Sequence, residues 1–226
     1  MIEIRKLSKN YGTKKVLSNI NMLFESGKVY GIVGENGAGK TTFFRCMAGL
    51  EDYEGEITSN NMPLKNKLGL LLTEPFFFSK ITGTEYIRLL CNSRNIKNID
   101  IAARNIFDLP LNDYVSTYSS GTKKKLALTA ILLQENEYFI LDEPFNGVDI
   151  QSNIIITEII HKLKELNKTV IISSHIFSTL SETCDEIHLL NNCCFEKSVN
   201  KENFSILEKE MKEITIGNKI DKLGLK

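Results

Sequence analysis

The stretch GENGAGKTT, Gly34 to Thr42, limits the possible folds of this chain more than any other. It fits the spacing G-x-x-x-x-G-K-[ST]. The apolar run GKVYGIVG (Gly27 to Gly34) leads into it, and TTFFRCMAGL follows with helical spacing and a stop at Gly49. A strand entering and a helix leaving is the context in which this spacing cradles phosphate. Gly37 and Gly39 allow a tight turn, so that successive N–H groups point inward at phosphate oxygens. The N-terminal end of the new helix adds partial positive charge. Lys40 supplies a full charge to the β- and γ-phosphates, and the Thr41 hydroxyl is suited to Mg²⁺. Gly34, Asn36, Ala38 and Thr42 complete the loop expected to touch the nucleotide.

Before the loop, IEIRKL and VLSNINMLFE alternate apolar and polar residues about the turn YGT, so the chain opens as β-structure. EGEITSN and KLGLLLT read as short strands. TEYIRLLCNSRNI and DIAARNIF read as two short helices, with Pro110 beyond them. A helix is expected from residue 120, then a strand over 137–141, a helix over 151–166, a strand over 168–173, a helix over 176–183 and a strand over 185–190. Such alternation implies a mainly parallel sheet with helices on its faces. HLLNNCCFEKSV reads as a hairpin turning at Asn191 and Asn192, and the tail from Lys201 is charged and partly amphipathic.

Two of these strands end in reactive side chains. YFILDEP places Asp142 and Glu143 behind four apolar residues, and TVIISSH ends a second apolar strand in Ser173, Ser174 and His175. Ligands of open α/β sheets bind where strands exit at their C-terminal ends. Asp142 is placed to hold Mg²⁺ and Glu143 to polarise an attacking water. The His175 imidazole is placed to hydrogen-bond the γ-phosphate and fix that geometry.

Bulk properties exclude other classes. The 226 residues carry 28 basic and 28 acidic side chains, so no global basic field marks nucleic acid as the main partner. Five cysteines, Cys46, Cys91, Cys184, Cys193 and Cys194, lie at no metal-type spacing and read as free cytosolic thiols. No apolar run approaches the roughly 18 residues of a membrane helix. The chain is therefore expected to be cytoplasmic, reaching the inner face of the membrane only through a partner.

The order GENGAGKTT, YSSGTKKKL, YFILDEP, NGVD and His175 resembles the ATP-binding subunit of ABC transporters, over about residues 1 to 195. The resemblance implies a P-loop NTPase core of α/β class with a mainly parallel sheet. It also implies an N-terminal antiparallel β subdomain and an inserted α-helical subdomain. In these terms 1–226 is a single domain: 1–82 and 137–200 form the nucleotide-binding core, 83–136 the helical subdomain, and 201–226 a C-terminal tail. In that family two such domains pack head to tail, and the Ser-Gly turn of one closes the ATP of the other. A P-loop leaves the outer face of the γ-phosphate open, and a hydroxyl, amides and a second helix N-terminus can complete its shell. Ser119 and Gly121 keep the hydroxyl and a flexible amide of the usual Leu-Ser-Gly-Gly-Gln, while Ser120 replaces a glycine.

Other positions follow from the same resemblance. Tyr11 corresponds to the residue that stacks on adenine, and Asp149 to the loop that touches the partner, besides serving as a helix N-cap. The usual Mg²⁺-contacting Gln is missing. Thr73 occupies its position by spacing, with Glu74 next. Lys123 to Lys125 read as a solvated first turn with no chemistry. At least one of Phe76, Phe77 and Phe78 is expected to be exposed and to dock a permease.

The expectation is thus an ATPase that binds ATP and Mg²⁺ and powers a transporter of exporter type. Glu143, His175 and Lys40 act in catalysis, and Thr41, Asp142 and Thr73 face the metal. A transmembrane permease and a second nucleotide-binding subunit, identical or not, are the expected partners. The exporter preference rests on compact size, the missing Gln and TEPFFFSKITGTEYI. A soluble ABC ATPase acting on ribosomes or DNA is the alternative from another class, and a regulatory module without turnover a third.

Overall fold

A computed structural model describes residues 1–59 and 63–216. Within them are two sheets. Strands β1 (Ile2–Tyr11), β2 (Lys14–Phe24) and β4 (Glu54–Ser59) form an antiparallel sheet in the order β2-β1-β4. The larger sheet runs β5-β6-β7-β3-β8-β9. Its members are β3 (Val29–Val33), β5 (Leu68–Leu71), β6 (Tyr138–Asp142), β7 (Thr169–Ser173), β8 (Glu186–Asn191) and β9 (Cys194–Asn200). All its pairings are parallel except that of β9 with β8.

Strands β3, β6 and β7 are buried along their whole length, which explains their unbroken apolar runs. Their side chains still alternate between two cores. Val29, Val33, Phe139, Leu141, Val170 and Ile172 join the core shared with the helical block. Tyr30, Ile32, Tyr138, Ile140 and Ile171 join the core beneath the antiparallel sheet.

The helices are α1 (Lys40–Met47), α2 (Gly83–Asn92), α3 (Ser120–Leu132), α4 (Ile150–Glu165), α5 (Phe177–Thr183) and α6 (Phe204–Ile216). Three begin where the sequence supplies a cap. Thr82 and Glu85 form a reciprocal capping box on α2, Ser119 accepts the Thr122 N–H on α3, and Asp149 accepts the Ser152 N–H on α4.

Three expectations are corrected. DIAARNIF is a succession of turns rather than a second helix. Asp100 Oδ1 captures the Ala103 N–H, Asn105 bonds both the N–H and the carbonyl of Leu109, and Asn98 and Asp108 adopt positive φ. These short polar side chains satisfy the backbone locally and stop helix propagation. The β8–β9 hairpin turns one residue later than expected, at Asn192 and Cys193, both at positive φ (45° and 66°), as a tight two-residue turn demands. Lys124, expected to be solvated, is 5% exposed. Of the tail, Lys201 to Ile216 is described, and the rest of 201–226 lies outside the described residues, as does Asn60 of EGEITSN.

His188 on β8 is buried beside β3, the strand that leads into the Gly34–Thr42 loop. Its ring stacks on Tyr30 (5.7 Å between centroids) and meets Phe24 and Phe195 edge-on. Nδ1 bonds Ser198 Oγ at 2.7 Å, and Glu186 Oε1 lies 3.8 Å away. Burial pushes the imidazole down to about 4 and raises Glu186. A folded-state value below the unfolded one of about 6.5 favours the neutral ring, so this stabilisation is present above about pH 6.5 and is lost as pH falls toward 4. The full loss is roughly 3 kcal/mol. We expect the melting temperature of His188→Phe to fall less than that of the unaltered protein between pH 6.5 and 4.5. Equal slopes would remove His188 from the acid response.

Candidate active site

The C-terminal ends of β3, β6 and β7 lie side by side, and the loops leaving them build one cleft of about 520 Å³. Tyr11, Asn36, Gly37, Gly39, Lys40, Thr41, Thr42, Thr73, Asp142, Glu143 and His175 all line it. Most of the expected site residues are therefore gathered in one place.

At its base, Gly37 and Gly39 take positive φ (84° and 108°), and Gly39 is the N-cap of α1. A Cβ on Gly34 would run into the Leu190 carbonyl, so the loop starts where only glycine fits. Ala38 closes the turn through its N–H to Glu35 O (3.1 Å). The Lys40 ammonium, 7% exposed, donates to Gly34 O at 2.7 Å and Glu35 O at 3.1 Å. Burial lowers its pKa, opposed by nearby Glu143 and Asp142. The cation is thus held over its own loop, in the wall of the cleft.

Asp142 organises the wall. Its Oδ2 accepts from Thr41 Oγ1 at 2.7 Å and Thr73 Oγ1 at 2.9 Å, and its Oδ1 from Ser173 Oγ at 2.6 Å. Thr41, Thr73 and Asp142 therefore converge as hard oxygen donors. One carboxylate with two hydroxyls suits Mg²⁺ that arrives with a polyphosphate supplying the remaining oxygens. Among the described residues no cluster of three His, Cys, Asp or Glu side chains could hold a metal alone.

Glu143 follows at φ 52°, an unusual backbone conformation for a non-glycine residue. Its N–H donates to Ser173 O and Oγ. Its side chain is 9% exposed. Oε2 accepts the His175 N–H at 3.3 Å. Oε1 lies 3.1 Å from His175 Nε2, an ion-pair distance, yet has no hydrogen-bond partner. The His175 side chain is 46% exposed at the mouth of the cleft.

Tyr11 ends β1 and is 45% exposed at the rim, with Lys9 Nζ 4.9 Å from its ring centroid. Lys9 also pairs with Glu51 at 3.2 Å, tying the end of β1 to the loop after α1.

Ser119 and Gly121 do not line this cleft. Ser119 is exposed at the head of α3. Gly121 is buried in the first turn, where a Cβ would strike the Gly147 carbonyl. Close packing rather than backbone freedom is what requires glycine there, a correction to the flexible-amide expectation. Glu74 borders a neighbouring cleft with Ser120, Lys123 and Gly147. Lys124, which sequence reasoning set aside, donates to Glu143 O and Asn146 O.

The family profile described as ABC transporter matches residues 17–146, more than half of the chain. This chain belongs to the ABC transporter family. The ABC subunit is 32% identical over 221 residues to the bacitracin transport ATP-binding protein BcrA of Enterococcus faecalis, covering 88% of this chain and 69% of that one. It is 31% identical to the methionine import ATP-binding protein MetN of Clostridium tetani, covering 84% and 66%. The solved structure of an ATP-binding subunit of an ABC transporter superposes with a TM-score of 0.82 at 23% identity, covering 95% of this chain and 99% of that one. The fold, the ATP-binding character and the ATPase class of this ABC subunit follow from its family. No helix of its described residues is long and apolar enough to cross a membrane.

Proposed function

We propose that this ABC subunit hydrolyses ATP in the cleft described above to drive an exporter-type permease, as one of two subunits packed head to tail. The observation that carries the reading is Glu143 Oε1, a buried carboxylate oxygen without a hydrogen bond beside His175. A buried acceptor without a partner is costly, and it persists where a ligand completes it.

Water attacks the γ-phosphorus in line, the bond to the β–γ bridging oxygen breaks, and ADP leaves. Glu143 takes the proton of the water. His175 holds that carboxylate and reaches the γ-phosphate. Lys40 exchanges its two carbonyl partners for phosphate oxygens, and the loop amides at Asn36 to Thr42 receive the rest of the charge. Tyr11 receives the adenine face. Thr41, Asp142 and Thr73 would hold Mg²⁺, which would supply charge neutralisation. Ser119 of one subunit, with the amides of its turn, closes the nucleotide of the other. This two-fold arrangement comes apart once the shared ligand is cleaved.

Membrane passage falls to a partner. Phe76 and Phe78 are 75% and 56% exposed and stack edge-on at 5.4 Å, while Phe77 turns inward against Tyr86. An exposed aromatic pair beside a groove suits a short amphipathic helix. The segment TEPFFFSKITGTEYI around it supports the exporter assignment. Purification from membranes should recover a protein with several apolar segments of about 20 residues. Phe76→Ser with Phe78→Ser should lose that partner and keep ATP binding. Retention of the permease would dismiss the aromatic dock, and recovery with ribosomes alone would dismiss transport.

A further inference from the structure

Lys124 is the middle of three consecutive lysines, yet it alone is buried, at 5% exposure. Its ammonium donates to Glu143 O at 2.8 Å and to Asn146 O at 2.7 Å. Both acceptors are backbone carbonyls of the loop between β6 and α4. A buried cation is destabilising unless its donors are satisfied and opposite charge is near. Here two carbonyls accept hydrogen bonds from the ammonium, and Glu143 and Asp142 provide the nearby charge. Burial itself pushes the Lys124 pKa down.

The surrounding contacts point the same way. Gly121 lies against the Gly147 carbonyl. Lys125 Nζ reaches Asp149 Oδ2 at 3.1 Å and Ser152 Oγ at 3.2 Å. The first turns of α3 are thus stitched to residues 143–152. Glu143 is the strained member of that loop, at φ 52°. Its peptide groups are gripped on both sides, the N–H by Ser173 and the carbonyl by Lys124.

We propose that Lys124 is a positioning residue, holding the Glu143 carbonyl and with it the backbone twist that aims the Glu143 carboxylate at His175. Because Lys124 sits five residues after Ser119, it ties the aim of the base in one subunit to the helix that closes the nucleotide of the other. The inference rests on the reading of Glu143 as the base and Ser119 as the lid.

Lys124→Met and Lys124→Gln in the full chain test it, beside Glu143→Gln. The methionine fills the space without donors, and the glutamine restores a donor. Methionine is expected to lower kcat roughly 10- to 100-fold, the scale of a misplaced catalytic group. Nucleotide affinity, read with a fluorescent ATP analogue, should stay within about twofold, and glutamine should recover kcat to within about threefold of the unaltered protein. A methionine variant that turns over at the normal rate per bound nucleotide overturns the proposal. So does an equal loss in both variants that tracks lost melting temperature and lost binding, which would mark a structural lysine. If methionine does not fold, Lys124→Arg keeps the charge, but its planar fork displaces the Glu143 carbonyl. It should lower kcat with affinity intact, and an unchanged kcat refutes the idea. A Glu143→Gln that has lost turnover beside a fully active Lys124→Met rejects the positioning role alone. A Glu143→Gln that turns over normally rejects the base assignment beneath it.

Discussion

Glu143→Gln is expected to lower turnover roughly 10²–10⁴-fold while ATP binding persists. The amide matches the carboxylate in shape but takes no proton. The backbone at this position is held by Ser173 and Lys124 whatever the side chain carries. Lys40 and the glycines of the Gly34–Thr42 loop, to which phosphate binding is assigned above, belong to other elements and stay in place. Bound but uncleaved nucleotide should then trap the paired subunits, visible by light scattering as a doubling of mass that needs ATP. Phosphate release under single-turnover conditions gives the rate. Turnover at the normal rate would put the base elsewhere.

Lys40→Ala is expected to weaken nucleotide binding roughly 10- to 100-fold, the worth of a charge-assisted hydrogen bond of about 1.5–3 kcal/mol. The free chain already satisfies the ammonium with two carbonyls at 2.7 and 3.1 Å. Binding therefore exchanges partners, which keeps the expected loss moderate. Removing the side chain also frees the Gly34 and Glu35 carbonyls. Isothermal titration with ATP reads the effect, and unchanged affinity would strip Lys40 of its assigned role.

Much of this site could be read from the chain because its parts announce themselves locally. Four apolar residues before Asp142 mark a buried strand, and the acids must then sit at its exit. The same holds for Ser173 to His175. The order β6-β7-β3 is different. Nothing near Thr169 says that its strand inserts between the two that carry Asp142 and the phosphate loop. That adjacency is a property of the assembled sheet, and it is what lets Ser173 reach Asp142 at 2.6 Å. DIAARNIF has apolar spacing compatible with a helix, but Asp100 and Asn105 compete for the backbone amides, and only geometry shows who wins. Lys124 was hidden by its neighbours, since three lysines in a first turn look solvated. A signal existed: Gly121, Lys124 and Leu128 share one helical face, and Gly121 and Leu128 are both buried. A lysine between them had to find acceptors inside.

The helical block leaves the sheet after β5 and returns at β6, its parallel neighbour. Such an excursion looks exchangeable, a cartridge plugged between adjacent slots. The contacts of Gly121, Lys124 and Lys125 say otherwise, because their receptors lie in a loop on the far side of the second slot. A graft of the block from a donor relative would seat on this host only if residues 143–152 travelled with it. Two segments separated along the chain therefore form one heritable part.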